Sequence, residues 1–335
     1  MRILQSLAVA ALVAISTAAS AQTELRVGFI PVMGVSQIFV AEGEGWLKKD
    51  GITLKTATFE SGPNMIQALS SGTLDVYAGG LAPLLVARSK GIDVRVIAAT
   101  VVEEMAVAAS PTLQPFLEGK NAAQALKAFR EKNGRPAKLA TQPVGSGPNV
   151  TLNYWLWEVI KADKADVEIV EMGIDATQRA ILTGAVEGGS IREPALTIAQ
   201  KQNAKVTLLA SGNEVFPNFP GVVVAVMGSY LEKNPIVVEN LVKSIVRATK
   251  LLKEDPKRTA PLVSVAFGKG IVGDDILETA IKSPQTQFTS DPRRIMESTA
   301  KLQDYSIKLG ALQKAIPLEP LFSLDVYDRA TVGAK

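Results

Sequence analysis

The tetrapeptide Ser-Gly-Pro-Asn occurs twice in the chain, at residues 61–64 and 146–149. Each copy follows a short apolar stretch and precedes a helical pattern, which predicts a helix start with glycine as the N-cap and proline at the first helical position. The backbone amides of Asn64 and Asn149 would stay free beside a serine hydroxyl, at the positive end of a helix dipole. At equivalent places on two facing lobes, they would hold a small anion from both sides. The alternative for each copy is an ordinary helix start.

Two predicted strand ends carry further candidates. Arg192 and Glu193 follow the short strand pattern at 187–191. A guanidinium pairs bidentately with planar anions, so we expect Arg192 to face a ligand carboxylate or sulfonate. It could instead pair with Glu193 or another acid on the surface. Gly79 and Gly80 end another strand, where either a ligand passes close to the backbone or the chain makes a tight turn.

The chain contains no histidine and no cysteine. Histidine is the commonest general base and metal ligand, so Ser-His triads, thiol nucleophiles and ordinary zinc sites are excluded. Adjacent carboxylates such as Glu103 and Glu104 come with no second feature of acid–base catalysis. The composition therefore favours a binding protein over an enzyme, and we expect no catalytic residue, no metal and no cofactor.

The N-terminus has the pattern of a secretory signal peptide over residues 1–21. Arg2 supplies the positive charge, an apolar stretch runs from Leu4 to Ile15, and Ala-Ser-Ala at 19–21 is a typical cleavage site. This apolar stretch is shorter than the ~20 residues that a membrane-spanning helix needs. We therefore expect an exported protein of the periplasm, with no membrane insertion.

The 335-residue chain is long enough for two domains after the signal peptide. Strand and helix patterns alternate along most of its length, which predicts an α/β fold with mostly parallel sheets. We expect residues 24–108 and 220–333 to form lobe one and residues 109–219 to form lobe two. The two connections, near 106–110 and 211–221, would be the hinge.

The charge pattern does not indicate nucleic-acid binding. The formal net charge is only +3, the basic residues are scattered, and aromatic residues make up 5% of the chain. A nucleic-acid surface usually concentrates basic residues and offers aromatic rings for stacking. No nucleic-acid partner is therefore expected, and a monomer is the expected state.

Several stretches resemble the substrate-binding proteins of ABC importers for nitrate, sulfonate and taurine, a family that includes relatives of the thiamine-pyrimidine synthases. The order and spacing of these stretches carry the resemblance over most of residues 25–240: RVGFIPVMGVSQIFVAEGEGWLKKDGI, ESGPNMIQALSSGTLDVYAGGLAPLLVARSKG, VGSGPNV, AILTGAVEGGSIREPAL and PNFPGVVVAVMGSYLEKNP. The resemblance implies a type II periplasmic-binding-protein fold, with two α/β lobes joined by a two-crossover hinge. It also implies a solute in the interlobe cleft and delivery to a membrane permease.

The resemblance further implies which positions line the cleft. They lie in the first strand–helix loop, the two Ser-Gly-Pro loops, the glycine turn and the loop after the GGSI strand: Met33, Gly34, Ser61, Gly62, Gly80, Leu81, Ser146, Gly147, Arg192 and Glu193. The sulfonate branch more often has an aromatic residue where this chain has Arg192. An ion pair would therefore replace a stacking contact, which favours a carboxylate ligand. The pyrimidine-synthase branch uses a histidine as reactant, so the absence of histidine excludes that activity.

The leading interpretation is a periplasmic protein that captures a small anionic organic solute, a carboxylate or sulfonate, for an ABC importer. One alternative is an exported enzyme of the same fold that uses a carboxylate and lysine pair. Another is a ligand-sensing partner of a membrane receptor.

Overall fold

The computed structural model describes residues 22–332. The predicted signal peptide at 1–21 and the last predicted residue of lobe one, at position 333, lie outside the described residues.

The strands of the described chain are short and rich in valine, isoleucine and alanine, as expected of buried strands. In chain order they are β1 (Thr23–Phe29), β2 (Ile52–Thr58), β3 (Val76–Gly80), β4 (Val94–Ala99), β5 (Val101–Val102), β6 (Ala106–Ala109), β7 (Ala137–Thr141), β8 (Val167–Glu171), β9 (Gly188–Ile191), β10 (Thr207–Ala210), β11 (Val222–Met227) and β12 (Gln287–Phe288).

Helices alternate with most of the strands up to β11, except that β4, β5 and β6 follow one another directly, and helices dominate the chain after β11. They are α1 (Ser36–Gly43), α2 (Trp46–Lys49), α3 (Gly62–Ser70), α4 (Ala82–Ser89), α5 (Ala122–Asn133), α6 (Gly147–Tyr154), α7 (Ile174–Thr183), α8 (Ala195–Gln202), α9 (Gly212–Val215), α10 (Gly228–Lys233), α11 (Pro235–Glu254), α12 (Pro256–Val263), α13 (Asp274–Lys282), α14 (Met296–Lys308) and α15 (Leu324–Thr331). Within residues 22–332, none of them combines the length and the apolar composition needed to cross a bilayer.

Two five-stranded sheets share one topology. The first has the order β2-β1-β3-β11-β4, and the second, read from its other edge, has the order β8-β7-β9-β6-β10. In each sheet the first three strands are parallel, and the fourth runs antiparallel to both neighbours. The chain crosses between the two sheets twice, and we call these crossings the first and the second passage. The antiparallel strand β6 follows the first passage, and the antiparallel strand β11 follows the second. The predicted α/β fold is therefore confirmed.

The first passage between the sheets lies earlier than expected. The predicted boundary between residues 108 and 109 falls inside β6, whose Ala106–Ala109 pair with Gly188–Ile191 of β9 in the second sheet. The chain therefore leaves the first sheet at residues 103–105. The sheet to which β6 belongs depends on its pairing with β9, which the local sequence does not reveal. It returns through residues 211–221, which include α9.

Glu103, in the first passage, forms hydrogen bonds to residues of the second passage. Its Oε1 accepts hydrogen bonds from Asn213 Nδ2 at 2.9 Å and from the Asn218 amide at 2.7 Å. Its Oε2 accepts one from Gln287 Nε2 at 2.6 Å, beside the small sheet that β5 and β12 form. The side chain is buried, so these donors supply the polar partners that water cannot.

Two helical segments are irregular. The segment from Ser36 to Lys49 is broken into α1 and α2, because Gly45 adopts a left-handed backbone with φ of 71°. The Ser36 hydroxyl donates to the Met33 carbonyl and does not cap α1. The helix that begins at the second tetrapeptide is α-helical only to Tyr154 and ends in a π-helical turn over Trp155–Val159.

Candidate functional site

The two Ser-Gly-Pro-Asn segments begin α3 and α6, but the predicted cap residue is wrong by one position. Ser61 and Ser146 are the N-caps, because their backbones are extended, with ψ of 153° and 154°. The glycines are therefore the first helical residues and the prolines the second. Proline is tolerated there because the first amides of a helix have no partner within the helix.

The two copies are not at equivalent places, contrary to the prediction. The helix α3 follows β2 at the edge of the first sheet, whereas α6 follows β7, an inner strand of the second sheet. Their amides differ as well. The Asn149 amide is not free, since it donates to Ser146 Oγ at 3.4 Å, whereas Ser61 makes no side-chain cap hydrogen bond.

This difference gives a stability prediction with an internal control. We expect Ser146→Ala to lower the free energy of unfolding by about 1 kcal/mol, because the Asn149 amide loses its cap. Ser61→Ala removes the same atoms from the same tetrapeptide and is expected to cost about half as much or less. Urea unfolding of both variants and the wild type measures this, and equal losses would contradict the assignment.

Both segments reach one small cavity between the two sheets, which we name the inner cavity. Its volume is about 20 Å³, so it holds about one water molecule. It is lined by Ile30, Gly62, Gly80, Pro83, Glu104, Met105, Gln142, Ser146, Gly147, Pro148, Arg192, Phe219 and Gly221.

The lining comes from both sheets and both passages. Gly62 and Gly80 stand at the carboxyl ends of β2 and β3 in the first sheet, and Gln142 and Arg192 directly follow β7 and β9 in the second. Glu104 lies in the first passage. The carboxyl ends of parallel strands are where open α/β sheets bind ligands. The inner cavity therefore has the position of an interlobe binding site.

Arg192 is the cation of the inner cavity, and its hydrogen bonds are incomplete. Its Nη1 donates to Glu104 Oε1 at 3.3 Å, and its Nη2 donates to Gln142 Oε1 at 3.3 Å. Its Nε is buried and has no hydrogen-bond partner among residues 22–332. A guanidinium has five donors in a fixed plane, so this one can donate a further hydrogen bond to an anion or a polar group.

Two neighbours of Arg192 have shifted pKa values. Burial raises the pKa of the Glu104 carboxyl, and the nearby Arg192 charge opposes this shift without cancelling it. Burial also raises the pKa of the Tyr77 hydroxyl far above its usual range, again opposed by Arg192. Tyr77 stays neutral and donates to the Gly80 carbonyl at 2.7 Å, which fixes the glycine turn.

The second tetrapeptide is held against β9 by hydroxyl groups. Ser190 Oγ donates to the Pro148 carbonyl at 3.0 Å and lies 3.3 Å from Thr141 Oγ1 of β7. On the other side, a Cβ added to Gly147 would lie 3.2 Å from the Phe219 ring. The start of α6 is therefore fixed from the second sheet and from the second passage.

Arg192 also lies at the edge of a larger cavity, which we name the outer cleft. Its volume is about 530 Å³, within the range of small-molecule sites. It is lined by Pro31, Val32, Thr58, Ile174, Asp175, Gln178, Arg192, Glu193, Pro194, Ala195, Ile198, Ala266, Phe267, Gly268, Ile271 and Val272. Most of these side chains are apolar, and Arg192, Glu193 and Asp175 are the charged ones.

Some of the site residues predicted from the sequence line a cavity, and the others do not. Gly62, Gly80, Ser146, Gly147, Arg192 and Glu193 line one or both cavities. Met33 and Leu81 are buried in the core, and a Cβ on Gly34 would meet Val222 at 2.5 Å. Ser61 and Asn149 line neither cavity. In the first loop, Ile30, Pro31 and Val32 line the cavities instead.

Glu193 has a local role in addition to lining the outer cleft. Its Oε2 accepts a hydrogen bond from the Thr197 amide at 3.1 Å, in the first turn of α8. Arg192 does not pair with this neighbour but with Glu104, 88 residues away. The positions of Glu104, Gln142 and Phe219 at the cavity could not be predicted, because each belongs to a loop without a recognisable local pattern.

Comparison with known proteins identifies the family and the fold of this chain. Residues 18–266 match the NMT1-like family. A Bacillus subtilis (strain 168) protein, provisionally named an aliphatic sulfonates-binding protein, is 24% identical over 303 residues, which cover 88% of this chain and 84% of the relative.

Two solved structures have the same fold. The nitrate-binding protein NrtA from Synechocystis PCC 6803 superposes with a TM-score of 0.79 at 14% identity, covering 94% of this chain and 90% of NrtA. The alkanesulfonate-binding protein SsuA from Xanthomonas axonopodis pv. citri, bound to MOPS, superposes with a TM-score of 0.71 at 17% identity, covering 91% and 99%. The predicted resemblance and the predicted periplasmic-binding-protein fold are confirmed. The chain belongs to the NMT1-like family and has the fold of the substrate-binding proteins of sulfonate and nitrate import.

Proposed function

We propose that this protein is a periplasmic solute-binding protein that captures a small organic anion between its two lobes and delivers it to an ABC-importer permease. The observation that carries the proposal is the buried Arg192, whose Nε points to no acceptor among residues 22–332. A buried cation with a free donor favours a carboxylate or sulfonate at that place.

The shape of the two cavities supports an amphipathic solute. The inner cavity, at about 20 Å³, is too small for an organic molecule, whereas the outer cleft offers about 530 Å³. Arg192 borders both, so an anionic group at its guanidinium would place the rest of the solute in the outer cleft. The apolar side chains of Phe267, Ile198 and Ile271 would then pack against an aliphatic or aromatic body.

The two passages between the sheets support a closing motion. They are the covalent links between the lobes, and solute contacts from both sides would favour the closed arrangement by their differential affinity for it. The relatives named above are all called binding proteins, and none of these names refers to an enzyme. We accordingly assign binding without covalent change of the solute.

A thermal-shift screen tests this function. The panel contains nitrate, 1-butanesulfonate, benzenesulfonate, benzoate, succinate, amino acids and pyrimidines, with benzamide as the neutral match of benzoate. A bound anion at 100 times its Kd stabilises the fold by about 2.7 kcal/mol, which raises the Tm by roughly 5 °C in a protein of this size. We expect a sulfonate or an apolar carboxylate to do so and benzamide not to. Stabilisation by neutral compounds alone would refute the proposal.

A further inference from the structure

Glu104 faces the guanidinium to which the proposed function assigns the solute. Its carboxyl is 4% exposed, and its Oε1 accepts from Arg192 Nη1 at 3.3 Å. The positive charge of Arg192 is thus already paired before any solute anion arrives. Adding an anion would leave two negative charges and one positive charge in a buried site, which is costly in a medium of low polarity.

The other groups around Glu104 do not relieve this excess of negative charge. From β3, the neutral Tyr77 hydroxyl is engaged by the Gly80 carbonyl. From the loop after β7, Gln142 is uncharged and accepts from Arg192. The two remaining charged neighbours along the chain are acids, Glu103 and Glu193, and each is held by its own hydrogen bonds.

Glu104 is buried, and both of its neighbours along the chain are held in place. It follows Glu103, which three hydrogen bonds fix to the second passage and to Gln287. It precedes Met105, which is 2% exposed and whose sulfur lies 3.8 Å from Arg192 Nη1. The carboxyl therefore stays beside the guanidinium when a solute binds.

We propose that Glu104 sets the charge selectivity of the site and couples binding of an anion at Arg192 to the uptake of one proton. The inference rests on the proposed function. In the step, a carboxylate oxygen of Glu104 takes a proton from solvent and becomes a neutral carboxyl. The O–H bond is the only covalent bond that forms, and the solute remains unchanged. The neutral carboxyl, still beside the guanidinium, can then donate a hydrogen bond to the anion that binds there.

The sign of the pH dependence follows from the two states of Glu104. Burial already raises the pKa of its carboxyl in the free protein. In the complex, the negative charge of the solute bound beside Arg192 raises this pKa further. Below the pKa of Glu104 in the free protein, the carboxyl is protonated with and without the anion, and anion affinity is highest. Between this pKa and the higher pKa of Glu104 in the complex, affinity falls by up to about tenfold for each pH unit. Above the pKa in the complex, affinity is low and constant.

The test uses the wild-type protein and 1-butanesulfonate, whose charge does not change between about pH 5 and pH 9, so that any proton must bind to the protein. Isothermal titration calorimetry across this range gives the affinity profile. Titrations in Bis-Tris and in Tris, which carry no negative charge and differ in ionisation enthalpy, give the number of protons taken up. We expect a falling profile and uptake approaching one proton within its sloping part.

The variant Glu104→Gln keeps the size and the acceptor of the side chain but cannot ionise. We expect it to bind 1-butanesulfonate with a flat pH profile and, near pH 9, more tightly than the wild type. Glu297→Gln, on the exposed face of α14, removes an equal charge remote from the site and is expected to keep the wild-type profile. Circular dichroism checks that each variant is folded, and the buffer experiment on the wild type needs no variant.

The outcomes separate the two proposals. If no anion of the panel binds at any pH, the proposed function fails, and this inference fails with it. If 1-butanesulfonate binds with a flat wild-type profile and no proton uptake, only the inference fails. It also fails if an aminoalkanesulfonate alone binds and Glu104→Gln abolishes that binding, because Glu104 would then pair with a cation of the solute.

Discussion

Replacement of Arg192 by alanine is expected to weaken binding of 1-butanesulfonate roughly 30-fold while the protein stays folded. The loss corresponds to about 2 kcal/mol, the usual contribution of a hydrogen bond to a charged group. Arg192 lines both the inner cavity and the outer cleft, and it holds the free donor of the site. The fold survives because Glu104, left without its partner, becomes neutral by protonation rather than remaining a buried charge.

Calorimetry of three variants makes this prediction specific. Arg294→Ala removes an exposed arginine outside both cavities and is expected to leave affinity unchanged. Arg192→Lys keeps the charge but replaces the planar fork by a single ammonium, so its affinity should lie between those of wild type and Arg192→Ala. Unchanged affinity in Arg192→Ala, with the protein folded, would remove Arg192 from the binding site.

Replacement of Glu103 by alanine is expected to lower the free energy of unfolding by about 3 kcal/mol. The change removes the acceptor of the Asn218 amide, of Asn213 Nδ2 and of Gln287 Nε2. The three hydrogen bonds are part-buried and share a charged acceptor, so their combined loss costs more than one average hydrogen bond. The tie between the two passages is lost at the same time.

Urea unfolding followed by tryptophan fluorescence measures the effect. Glu297→Ala is the matched control, because its carboxylate is 89% exposed and forms a surface pair with Lys301. Surface pairs of this kind contribute at most about 1 kcal/mol, so the control should stay close to the wild type. A loss in Glu103→Ala no larger than that of the control would show that the three hydrogen bonds do not stabilise the passages.

Local patterns were sufficient for most of the strands and helices. The short apolar stretch before the second tetrapeptide is the strand β7, Ala137–Thr141. The helical pattern that follows the same tetrapeptide is α6. Such predictions succeed because hydrophobic period and turn chemistry act over a few residues. The cap of each tetrapeptide was predicted one residue late, because serine and glycine both suit the N-cap and only the backbone angles decide between them.

The prediction that the two tetrapeptides occupy equivalent places was wrong for a different reason. The same four residues begin α3 after an edge strand and α6 after an inner strand. Strand order is set by pairing between distant segments, which no local pattern encodes. Both segments nevertheless reach the inner cavity, because the carboxyl ends of parallel strands share one edge of each sheet.

The α/β class, the resemblance to the substrate-binding family and the position of Arg192 at a strand end could all be predicted from the sequence. These depend on short-range patterns and on the order of segments. The folded chain was needed to show that Glu104 is the partner of Arg192, that β6 belongs to the second sheet, and that Met33 and Gly34 lie behind the cavity lining. Each of these depends on contacts between segments far apart in the chain, whose geometry is fixed only when the two sheets have formed and packed.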